Sequence, residues 1–101
     1  MSMSDFSARR INTLLEVMGS NARYLEIGVE TGFTFFAISA AFKTAVDPCF
    51  LFDVEAAKAE HPTSEFFPIT SDAFFTTRKT QENYDLVFLD GLHTWEQTYR
   101  D

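Results

Sequence analysis

Four carboxylates, Glu26, Asp47, Asp72 and Asp90, each fall at or beside the end of a run with strand character, and the first is followed closely by Gly28 and Gly32. A glycine turn between a strand and a helix lets a ligand approach the main chain where a side chain would forbid it. An acidic side chain about 20 residues beyond the first glycine of such a turn is placed to accept hydrogen bonds from ribose hydroxyls. Asp47 lies nineteen residues past Gly28. The spacing therefore predicts a seat for a nucleoside, with Glu26, Gly28, Val29, Glu30 and Gly32 on one side of it and Asp47 on another.

Electrostatics then selects among nucleosides. A dinucleotide brings a pyrophosphate, which favours a turn rich in bare N–H groups. Here the middle of the turn holds Glu30, and the G-x-G-x-x-G spacing is absent. A cleft edged by Glu26, Asp47, Asp72 and Asp90 repels phosphate. S-adenosylmethionine (SAM) offers a ribose and an adenine with no phosphate, and it carries a sulfonium cation, so the carboxylates suit it better. Asp90 and His93 border the same cleft and admit two roles. They are an acid and base for a reacting group, or Asp90 helps to hold a divalent cation such as Mg. Cys49 has no activating base near it in sequence and reads as a plain thiol.

These residues need a scaffold that brings strand ends to one rim. Residues 4–18 carry Ile11, Leu14, Leu15 and Met18 at helical spacing, with Ser4 or Asp5 as cap and Gly19 as stop. Strand character follows over 22–27, 44–47, 66–70 and 84–90. Helical runs lie over 33–42, over 53–60 behind an Asp53 cap, and from Ser71 or Asp72 to about Gln81. A capping box at Thr94 and Gln97 opens a last helix. One helix and then four strand–helix units predict an α/β fold of Rossmann-like type. It is a parallel sheet of strand order 3-2-1-4 with helices on both faces. Residues 1–19 form an N-terminal helix and residues 20–101 the ligand-binding unit.

Composition limits the alternatives. A chain of 101 residues with 46% hydrophobic residues and twelve phenylalanines builds one small domain with a real core. A formal net charge of −7 argues against nucleic acid as a partner. No run reaches transmembrane length, and one cysteine makes no intrachain disulfide, so a cytoplasmic location away from membranes is the expectation.

Leu25-Glu26-Ile27-Gly28-x-x-x-Gly32, Val46-Asp47-Pro48, Ser71-Asp72-x-Phe74-Phe75 and Tyr84-Asp85-Leu86-Val87-Phe88-Leu89-Asp90-Gly91-Leu92-His93 stand in that order. Together they resemble a class I SAM-dependent methyltransferase, of the small-molecule type whose fourth strand ends in Asp-Gly-x-His. The resemblance covers about residues 20–101. It implies an enzyme in which Glu26, Gly28 and Gly32 meet the methionine part of SAM and Asp47 holds the ribose. Ser71 and Asp72 then lie by the adenine, and Asp90 stands at the methyl-transfer edge, where some relatives place a metal. Relatives often have glycine in place of Glu30. They also continue through strands five to seven, so this chain reads as the N-terminal part of such an enzyme. A small-molecule methyl acceptor is implied. The alternatives are a non-catalytic SAM-binding or interaction module and a nucleotide-binding Rossmann-like domain. A sheet ending at strand 84–90 would present an apolar edge, for which pairing into a homo-oligomer is the expectation.

Overall fold

A computed structural model describes the backbone of residues 3–77 and 84–89. Asp90, His93 and the helix expected from Thr94 fall outside the described residues.

Helix α1 (Met3–Met18) ends at Gly19, whose N–H donates to the Leu15 carbonyl at 3.1 Å. Four strands follow, interleaved with helices: β1 (Arg23–Ile27), β2 (Phe42–Val46), β3 (Ser64–Phe67) and β4 (Leu86–Leu89). They form one sheet of order β3-β2-β1-β4, and every neighbouring pair is parallel. This is the topology expected from the strand–helix alternation, a Rossmann-like α/β fold.

Several boundaries differ from expectation: β2 begins at Phe42 rather than at 44, β4 at Leu86 rather than at 84, and three others have a visible cause. The helix expected over 33–42 is only α2 (Phe33–Ala37), because Ile38 turns to extended angles, φ −81° and ψ 132°. The carbonyls freed at its end are met by side chains distant in sequence. Asn12 Nδ2 donates to the Ala37 carbonyl at 3.0 Å, while Asn12 Oδ1 accepts from the Ser39 N–H at 2.8 Å. Lys43 Nζ donates to the carbonyls of Phe35 (2.8 Å) and Ile38 (3.1 Å). Phe42 is thereby released to open β2, with the Arg23 guanidinium 5.7 Å from its ring centroid. The third strand is Ser64–Phe67 rather than 66–70. Pro68 has no N–H to give a ladder, and the Ile69 N–H turns back to the Phe67 carbonyl at 2.9 Å. Helix α4 (Ser71–Thr77) is capped by Thr70, whose Oγ1 accepts from the Ala73 N–H at 3.1 Å, rather than by Ser71 or Asp72. Helix α3 (Val54–Glu60) has the expected cap, with Asp53 Oδ1 accepting from Ala56 N–H.

Side-chain parity divides the sheet. One face carries Tyr24, Glu26, Lys43, Ala45, Phe66, Leu86 and Phe88, and α1, α2 and α3 close over it. Ala8, Ile11, Leu15, Phe35, Ile38 and Ala57 pack there with the strand residues. The other face carries Leu25, Ile27 and Val46 under Phe74 of α4. Among the described residues, β4 is covered on one face. Leu86 and Phe88 are half-buried, whereas Val87 and Leu89 are 47% and 42% exposed.

Candidate functional site at the rim of the sheet

In a parallel sheet of this order, the ends of β1 and β2 and the turns after them lie at one edge. The chain leaves β1 at Gly28, whose N–H still reaches across to the Val46 carbonyl at 2.9 Å. Gly28 then takes φ +85°, and Gly32 takes φ +82°. A turn closes between them, with the Gly32 N–H donating to the Val29 carbonyl at 2.9 Å, and the Gly32 carbonyl accepts from the Phe36 N–H of α2. At Gly32 the ring of Phe36 and, at 3.3 Å, that of Phe52 occupy the space a Cβ would need. Only glycine fits there on both counts.

Glu30 also takes positive φ, +51°. For a residue with a side chain that conformation is disfavoured by roughly 1–2 kcal/mol. Two hydrogen bonds hold it: Glu30 N–H donates to Asp47 Oδ2 at 2.8 Å, and the Glu30 carbonyl accepts from Leu51 N–H at 2.8 Å. A glycine at this position would suit the same backbone. Glu30 therefore preserves the turn that its side chain strains.

Asp47 is the joint of the rim. Its Oδ2 takes the Glu30 amide, its Oδ1 takes the Cys49 amide at 2.9 Å, and its own N–H donates to the Phe67 carbonyl. The carboxylate thus fastens the turn after β1 to the loop after β2, and the backbone amide of the same residue ties in the end of β3. It is 7% exposed. Each carboxylate oxygen carries a second lone pair, so these bonds leave acceptor capacity for hydroxyl groups.

The other predicted residues fall in different surroundings. Val29 and Ser71 are buried, and Asp72 is exposed in the first turn of α4. Glu26 is fully buried on the helix-covered face, where Oε1 accepts from the Tyr24 hydroxyl at 2.8 Å. The rim thus gathers Gly28, Glu30, Gly32 and Asp47, with Glu26 lying beneath it. Among the described residues no group of three His, Cys, Asp or Glu side chains is gathered to hold a metal, and no helix is long and apolar enough to cross a membrane. Cys49 is exposed.

Sequence reasoning missed Lys43. It lies beside Tyr24 in the register of β1 and β2, is 7% exposed, and holds its ammonium 4.5 Å from the Phe35 ring centroid. Burial lowers its pKa from 10.5 to about 8, against the opposing pull of Glu26. The only hint in sequence is parity: within Phe42–Val46, Lys43 must share a face with Ala45. No periodicity announces a buried ammonium.

A family model described as "Methyltransferase domain" matches residues 25–101, most of the chain. No curated protein matches it.

Proposed function

The chain belongs to this methyltransferase domain family, and from that premise we propose that its rim binds S-adenosylmethionine for methyl transfer to a small-molecule acceptor. The observation that carries the reading is the Asp47 carboxylate, which links the glycine turn to the end of β2 by its bonds to Glu30 and Cys49. A ribose laid against this joint meets a fixed acceptor, and the main chain at Gly28 and Gly32 leaves room beside it for the methionine part. The donor set fits the group: carboxylates and turn backbone suit a nucleoside cation, whereas a pyrophosphate would face Glu30 and Asp47. Ser71 and Asp72, at the head of α4, then stand toward the adenine.

When bound, SAM supplies an electrophilic sulfonium methyl group. The protein's contribution is to hold the two reactants in line. Asp90 and His93, outside the described residues, are assigned to the transfer edge, with Asp90 as the residue for a divalent cation should one be used. A cytoplasmic setting belongs to the same proposal.

Titration calorimetry with SAM, its demethylated product and NAD tests the reading. SAM and its product are expected to bind, and Asp47→Asn is expected to weaken both by about tenfold, the scale of one charged hydrogen bond. Binding of NAD in preference to SAM would overturn it. Tight SAM binding with no methyl transfer to any acceptor would select a non-catalytic SAM-binding module.

A further inference from the structure

On α3, Asp53, Ala56, Ala57 and Glu60 stand at the spacing i, i+3, i+4 and i+7, which places them on one helical face. The two alanines leave the middle of that face without bulk, and a groove of about 290 Å³ opens over it. The wall opposite is aromatic. Phe36 of α2 meets Phe52 edge to face at a centroid distance of 5.0 Å and stacks on His61 at 5.1 Å, and all three rings line the groove. Asp53 and Glu60 line it from the two ends of α3, about 10 Å apart along the helix axis. Among the described residues no lysine or arginine is part of its lining; Lys58 of the same helix pairs with Glu55 at 3.5 Å. The rim residues Gly28, Glu30, Gly32 and Asp47 are not part of it either, so it is a separate place from the proposed nucleoside seat.

We propose that this groove binds a free linear aliphatic diamine, with its methylene chain over Ala56 and Ala57 and one ammonium beside each of Glu60 and Asp53. Each part of the groove selects a part of that molecule. The alanine floor and the ring wall offer apolar contact to the methylenes, and carboxylates at both ends require a cation at both ends. The bond from the Ala56 N–H to Asp53 Oδ1 leaves acceptor capacity on that carboxylate, so capping the helix and receiving an ammonium are compatible. The dipole of α3 adds to the attraction at the Glu60 end and opposes it at the Asp53 end, so Glu60 carries the larger share. A formal net charge of −7 draws dications toward the chain and keeps anions away. A molecule with one ammonium can use one end of the groove only, which sets the free diamine apart from a lysine side chain.

The test titrates the chain with three probes of equal length: the diamine cadaverine, pentylamine with one ammonium, and pentanediol with none. Amide chemical shifts are read at low ionic strength and about pH 8, where free imidazole is uncharged and surface charges are little screened. Cadaverine is expected to shift Phe52, Ala56, Ala57 and His61 and to bind about three- to fivefold more tightly than pentylamine, the scale of one exposed ion pair. Pentanediol is expected to be weaker than either amine. Glu60→Gln should bring cadaverine down to the level of pentylamine and leave pentylamine within about twofold. Ala56→Leu fills the floor without touching a charge and should abolish binding of both amines, whereas Asp47→Asn at the rim should leave both unchanged. Should Ala56→Leu fail to fold, Glu60→Gln, at an exposed position, carries the comparison alone. Equal affinity for cadaverine and pentylamine would overturn the inference by removing the two-ended recognition. Binding that survives Ala56→Leu would overturn it too, as general attraction to an acidic surface, and so would shifts confined to the rim. None of these outcomes bears on whether the rim takes SAM.

Discussion

On one face of the sheet three helices close over Tyr24, Glu26, Lys43 and Ala45, while on the other a single described helix, α4, covers Leu25, Ile27 and Val46. The first face buries an ammonium and a carboxylate; the second leaves Val87, Leu89 and the nearby helix residue Phe75 42–49% exposed. This is the reverse of what residue chemistry alone would suggest. The difference lies in cover. Where helices supply carbonyls, a hydroxyl and aromatic faces, polar groups can be buried. Where cover stops, apolar side chains stay in water whatever their preference. The rim draws its rigidity from the covered face, since α2 begins at Gly32 and is fixed at its far end by Asn12 and Lys43.

The largest effect expected on this contrast comes from Phe35, fully buried and in ring contact with Tyr24, Phe36 and Phe66. Phe35→Ala is expected to lower stability by about 3–5 kcal/mol, a large part of what a domain of this size possesses. Val87→Ala on the bare face should change it by less than about 1 kcal/mol. Urea midpoints of the two variants check the pair, and comparable losses would break the contrast. Gly32→Ala is next, at roughly 2–4 kcal/mol, because it combines a positive φ with displacement of Phe36. Phe36 has little room to yield, packed against Phe52, His61 and Phe66.

Lys43 gives the covered face a signature in pH. Its pKa is lowered to about 8 from 10.5, so between these values the unfolded chain holds more of this proton than the folded one. Stability from this group therefore rises with pH across that window, by at most about 1.4 kcal/mol per pH unit. Denaturant midpoints of wild type and Lys43→Met, compared from pH 7.5 to 10.5, should show wild type gaining on the variant as pH rises. Parallel curves would mean that the ammonium is not desolvated.

How far the fold could be read in advance follows the same division between local and distant causes. Strand order, the Asp53 cap and the Gly28–Gly32 turn depend on residues close in sequence or on alternation, and they were legible. The end of α2 was not, because Asn12 and Lys43 impose it from other elements and the run from Phe33 to Phe42 is apolar but for Thr34 and Ser39. The Thr70 cap was displaced by one residue because Thr70, Ser71 and Asp72 are all competent caps. At the site, spacing alone pointed to Asp47. The burial of Glu26 away from the rim surface was hidden, since its face is set by register rather than by its neighbours in sequence.

The bare face yields an effect on association rather than on stability. Val87 and Leu89 lie on β4, at the end of the described sheet order. An apolar strand in that position is a template for pairing. Sedimentation velocity is expected to show concentration-dependent dimers that Val87→Ser with Leu89→Ser abolishes, with the urea midpoint changed by less than about 1 kcal/mol. A wild-type chain that stays monomeric at high concentration would show that the exposed stripe does not drive assembly.

The smallest effect belongs to the boundary between the faces, at Glu30. Its φ of +51° is a conformation glycine adopts freely, so Glu30→Gly relieves local strain, whereas the extra freedom of glycine in the unfolded chain opposes the gain. The two terms leave a net stabilisation of about 0–1 kcal/mol, read from thermal unfolding. The backbone bonds to Asp47 and Leu51 use the Glu30 amide and carbonyl rather than its side chain, so the turn is expected to persist. SAM affinity then reports what the Glu30 carboxylate itself contributes. A loss of affinity without a loss of stability would give the side chain an electrostatic part in the cation seat. A loss of stability would show instead that Glu30 is held by contacts beyond those two backbone bonds.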